Sequence, residues 1–151
     1  MLSNLFRKST PPSLYCLIDP RSSEVLGPWA GSFPAYKEVV GYSSLGHFFM
    51  RDPETQEYIV LHPFKGAAKS YGEHETIDDF ENAILKEAGF QEYVLRSEHV
   101  RAVARRLGAL SKEEIYIPEP YPFLGGSDAP ETYDKGNVWV FSHIVAQMGG
   151  L

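Results

Sequence analysis

Apolar positions along this chain change their spacing twice, and the changes divide it into sheet, helix and sheet again. Leu14–Asp19 and Glu24–Leu26 are short apolar runs. Pro20-Arg-Ser-Ser23 between them has turn composition, which predicts a small hairpin ended by Gly27-Pro28. Trp29 and Phe33 follow in a Gly/Pro-rich loop and are expected to cap the core. Lys37–Tyr42 reads as a further strand. Leu45–Arg51 and Glu57–His62 flank Asp52-Pro-Glu-Thr-Gln56, a turn-rich linker of hairpin-loop length. In the second of these strands Tyr58, Val60 and His62 should point one way and Ile59 and Leu61 the other.

The period then becomes helical. Thr76 is a good N-cap, and Asp78 and Asp79 put negative charge in the first turn, where the helix dipole favours it. Ile77, Phe80, Ile84, Leu85 and Ala88 follow at helical spacing, with Gly89 as the expected stop. A second helix is predicted from Ser97 as N-cap, with Val100, Val103, Ala104 and Leu107 as its inner stripe and Gly108 at its end. Strand spacing returns at Ile115–Ile117 and again from Asn137 to Phe141, and Ser142 is placed as the cap of a short final helix through Gln147. Between those strands lie Pro118, Pro120 and Pro122, which fix φ and donate no amide hydrogen. The chain should leave the sheet there as a stiff arm carrying Tyr121, Phe123 and Leu124, and turn at Gly125-Gly126. The expected fold is α+β: a twisted antiparallel sheet, two main helices packed on one face, and a short C-terminal helix. Residues 1–13 are expected to be a mobile leader and 14–151 a single domain.

Composition narrows the function classes. A length of 151 residues with 43% hydrophobic and 23% charged content suits one globular domain. The formal net charge of −6 argues against nucleic acid or an anionic membrane as direct partner, since both select a basic footprint. Cys16 is the only cysteine, so no internal disulfide forms, and it is expected to be a buried, inert thiol. Met1–Pro12 contains no apolar run of signal-peptide length, and nothing approaches the roughly 18 apolar residues of a membrane span. A cytoplasmic setting is expected.

Candidate chemistry is sparse. His47, His62, His74, His99 and His143 show no metal-ligand spacing, so no metal or cofactor is expected. Gly41-Tyr-Ser-Ser-Leu45 lacks the last glycine of a nucleophile elbow and the strand–turn–helix context that one needs. Charge, by contrast, is patterned. Glu73, Glu75, Asp78, Asp79 and Glu81 cluster at the start of the first helix, and Arg96, Arg101, Arg105 and Arg106 line the second. Each cluster reads either as a solvated face or as an electrostatically marked docking surface.

Gly41-Tyr-Ser-Ser-Leu-Gly-His-Phe-Phe-Met-Arg-Asp52, then Tyr116-x-Pro118-x-Pro120, then Leu124-Gly125-Gly126, then Asn137-Val138 and a last helix with Gln147 make an ordered set of landmarks. In order and spacing it resembles the C-terminal domain of the immunity proteins that neutralise type VI secretion DNase effectors, over roughly residues 40 to 151. The resemblance implies a non-catalytic, cytoplasmic inhibitor whose partner is a cognate, nuclease-like toxin, and the chain's net charge of −6 suits a basic one. Expected contacts are Glu73, Glu75, Asp78 and Asp79 for encounter and Tyr121 and Phe123 as anchors, with Leu124, Gly125 and Gly126 as a structural turn. Two other classes stay open. One is a small-ligand sensing domain with the aromatic arm and Trp139 as pocket walls. The other is an enzyme using a dispersed pair such as His47 with a distant glutamate.

Overall fold

Pro20 does not turn a hairpin; a strand runs through it. In the computed structural model, which describes residues 11–151, β1 (Tyr15–Ser22) is an edge strand whose register with β2 (Glu38–Ser43) slips between Leu17 and Arg21. Proline, having no amide hydrogen, is tolerated at such an irregular edge. Ser23–Leu26, expected as the return strand, is one 3-10 turn capped by the Ser22 hydroxyl, followed by a short helix α1 (Trp29–Ser32). The edge position also exposes Cys16, against the expectation of a buried thiol.

The hairpin of β3 (Phe48–Arg51) and β4 (Glu57–His62) forms with Phe48 opposite Leu61 and Arg51 opposite Tyr58. A polar fifth strand, β5 (Ala67–Glu73), completes an antiparallel meander in the order β1-β2-β3-β4-β5. Both faces of its centre are buried. Tyr58 and Val60 pack with Phe49, Phe80, Leu85, Phe90 and Leu95 on one side. Ile59 and Leu61 pack with Phe48, Ile115, Val138, Phe141 and Val145 on the other.

Thr76 caps α2 (Ile77–Phe80), its hydroxyl accepting from the Asp79 amide at 3.0 Å. One π-type turn over Glu81–Leu85 ends the run before Gly89 is reached. The Glu87 carboxylate then accepts from the amides of Gly89 at 2.6 Å and Phe90 at 3.3 Å, so Gly89 lies in the first turn of a new helix, α3 (Ala88–Tyr93). Arg96, in a left-handed conformation, and not Ser97, takes the cap position of α4 (Ser97–Leu107).

Val100 and Val103 of α4 pack on Tyr116 and Tyr133 of a second, two-stranded sheet, β6 (Glu114–Pro118) with β7 (Tyr133–Asn137). The Tyr116 amide donates to Ser44 O at 2.8 Å and ties this sheet to the meander. The run from Val138 expected as a strand is instead the start of α5 (Val138–Met148). The Asn137 side chain caps it by accepting from the Trp139 and Val140 amides at 2.9 and 3.0 Å. Ser142 is no cap: it is buried inside α5 and donates to Leu26 O at 2.9 Å. The fold is α+β, and α5 with the small sheet covers the meander face opposite α2 and α3.

Candidate functional site

A cavity of about 450 Å³ opens where four pieces of chain meet. These are the β2–β3 turn (Leu45, His47), the end of β4 and its following turn (His62–Lys65), the α3–α4 link (Tyr93, Val94, Arg96), and the β6–β7 connection (Pro118, Pro122, Asp128). Phe141 and Tyr133 also line it. Apolar walls with a few convergent polar groups are the usual make-up of a ligand site, and the volume lies within the common range of about 300–1,000 Å³.

The polar groups are held firmly. Ser43 Oγ accepts from the Leu45 amide at 3.2 Å and the His47 amide at 3.0 Å. Its own proton is left for His47 Nδ1, 2.7 Å away, which assigns the imidazole proton to Nε2. Nε2 has no acceptor among the described residues. Burial, the neighbouring His62 ring and the charges of Lys65 and Arg96 lower the His47 pKa to about 3, so the ring is neutral. The His62 ring meets it edge-on at 4.7 Å, and burial lowers its pKa as well.

Arg96 sits at φ +56° and donates to Asp128 Oδ2 at 2.7 Å. Tyr133 donates to Asp128 Oδ1 at 2.5 Å. Burial raises the Asp128 pKa, but these hydrogen bonds together outweigh it and hold the carboxyl lowered. His99 lies 3.7 Å from Asp128. Burial and Arg96 nonetheless depress its pKa, so the contact is not an ion pair at neutral pH. Arg106 clamps the same connection by donating to the Pro130 and Tyr133 carbonyls.

Two of the open readings gain or lose by this geometry. The pairing of Ser43 with His47 does not make a nucleophile, because Ser43 is fully buried and two amides already occupy its oxygen. Among the described residues His47 has no carboxylate partner. Among the described residues no group of three or more His, Cys, Asp or Glu could hold a metal ion. Trp139 does not wall the cavity: it stacks on Phe48 and donates to Glu113 Oε2 at 2.6 Å.

The family model described as T6SS immunity protein Tdi1, C-terminal, matches residues 74–149. The chain belongs to this immunity family. The matched span takes in α2 to α5 and the small sheet, and leaves out the Gly41–Asp52 landmark and all five strands of the meander. A crystal structure of Atu4351 from Agrobacterium tumefaciens shares the fold, with a TM-score of 0.66 at 16% identity over 89% of this chain and 67% of that one. No curated protein matches.

Within this immunity-family fold the six residues expected as toxin contacts fall into two places. Glu73 ends β5, and Glu75, Asp78 and Asp79 stand exposed at the start of α2. Tyr121 is half-buried against Phe64 and Phe141, at ring distances of 5.4 and 6.1 Å, and Phe123 is 44% exposed on Phe64. Glu73 pairs with Glu57 at the first residue of β4, whereas Phe64 follows its last, so about 17 Å of strand separates the two groups. The arm turns through Pro122–Leu124 to Gly125 at φ +88°.

Proposed function

We propose that this protein binds a cognate secreted antibacterial toxin, a basic nuclease, in the cytoplasm and neutralises it by occluding its active site, with residues 14–151 acting as one unit. Membership of the immunity family carries this reading. The acidic balance of −6 supports a basic partner. The surface supports a protein partner: of seven exposed large hydrophobic side chains among the described residues, Phe123, Leu124, Val140, Ile144, Met148 and Leu151 lie on the arm and the C-terminal helix and tail. Tyr121 and Phe123 are the proposed anchors, and Glu73, Glu75, Asp78 and Asp79 the steering charges. Co-expression with the toxin encoded beside it should restore growth to poisoned cells, and the two proteins should co-purify. Growth arrest that persists with both proteins soluble and abundant refutes the reading.

A small-ligand role is favoured by one observation, the cavity with its convergent donors.

A further inference from the structure

We infer that this cavity is a binding site for a small organic anion, its carboxylate or phosphate held by His47 Nε2–H, Lys65 and Arg96 and its apolar body lying between Phe64, Tyr93, Pro118 and Pro122. The inventory of polar groups is one-sided. His47 Nε2–H has no acceptor among the described residues. Lys65 makes no ion pair among the described residues, and Arg96 spends N–H groups on Asp128 and on the Tyr133 side chain and keeps the rest. The only carboxylate on the lining, Asp128, already accepts from Arg96 and Tyr133. Two cations therefore face one satisfied anion, and what remains open is donors.

The positive field is felt inside the cavity, since Lys65 and Arg96 both push the His47 pKa down, behind burial, the largest cause, and the His62 ring. An entering anion would oppose that field and accept the free Nε2 proton at once. The space far exceeds what a bare carboxylate or phosphate fills, so the ligand has a body. Flat side chains on the lining can receive it: Phe64, and Tyr93, which is 77% exposed and has face left to cover. Arg96 begins α4 in the left-handed conformation, and its guanidinium reaches the cavity.

The test needs no toxin, so its outcome is independent of the immunity reading. Full-length protein labelled for histidine NMR is titrated with benzoate, with phenyl phosphate and with benzyl alcohol as the neutral control. Saturable shifts of the His47 imidazole and a raised His47 pKa are expected with at least one of the anions. The tighter of the two then tells a carboxylate site from a phosphate site. Lys65→Met, at an exposed position, should keep the fold and weaken that binding about tenfold or more. Three results overturn the proposal: no saturable shift with either anion, benzyl alcohol binding as well as the anions, or Lys65→Met binding unchanged.

Discussion

Gly126 illustrates what a residue can be required to do beyond adopting an unusual φ. A Cβ built there would stand 1.9 Å from Pro120 O and 2.9 Å from Tyr121 O, both main-chain atoms that cannot rotate away. Its neighbour Gly125 has open space around it but a φ of +88°, where an L-residue is strained. The two glycines thus resist substitution for different reasons. Gly125→Ala should lower stability by about 1 kcal/mol, and Gly126→Ala by more, because the arm has to open for the methyl group to fit. Chemical denaturation of both variants checks this, and equal or negligible losses would refute the close-approach account. The sequence marked this turn through its Gly-Gly pair. It could name His47 only as half of a dispersed pair, because the neutral state of the ring depends on burial and on His62, Lys65 and Arg96, which reach it from two other stretches of chain.

At the scale of elements, legibility followed how local the deciding interaction was. The β3–β4 hairpin was readable because adjacent residues alternate and a turn of the right length joins the strands. Thr76 was readable as a cap because its hydroxyl meets an amide only three residues on. The misread elements were decided otherwise. Val138-Trp-Val-Phe141 is rich in strand-favouring residues, yet Asn137 caps the chain into a helix whose buried positions, Val138, Phe141, Ser142, Val145 and Ala146, fall at helical spacing. Glu87 starts α3 from a side chain that is not among the preferred caps, so the helical spacing on either side of it read as one helix. β5 carries little alternation and is a strand because β4 offers it an edge. The Asn137 cap makes a testable claim. Asn137→Ala should cost about 1 kcal/mol by stranding the Trp139 and Val140 amides, whereas Asn137→Asp keeps the acceptor and suits the helix dipole. If alanine and aspartate melt alike, α5 is held by packing alone.

Across the whole molecule, the sequence disclosed a charge cluster and an aromatic arm, but their placement depended on a strand pairing that composition does not encode. The acidic start of α2 and the arm on Phe64 stand at opposite ends of β4. A toxin interface of roughly 1,200–2,000 Å² can span both, yet the two ends would then act separately. Rim charges act mainly on encounter, so reversing Asp78 and Asp79 to lysine should slow association with a basic toxin and flatten its salt dependence while leaving dissociation nearly unchanged. Phe123→Ala removes the proposed anchor and should speed dissociation instead. Groups this far apart share no partner, so the combined variant should show the sum of the single effects to within about 0.5 kcal/mol. Binding kinetics at two ionic strengths on the four proteins separate the possibilities. Salt-indifferent association of the wild type would make the acidic cluster a solvated helix start and remove the electrostatic support for a basic partner. A large coupling between the two ends would mean that the toxin, or the arm, moves when it binds, and that rigid docking on this surface is the wrong description.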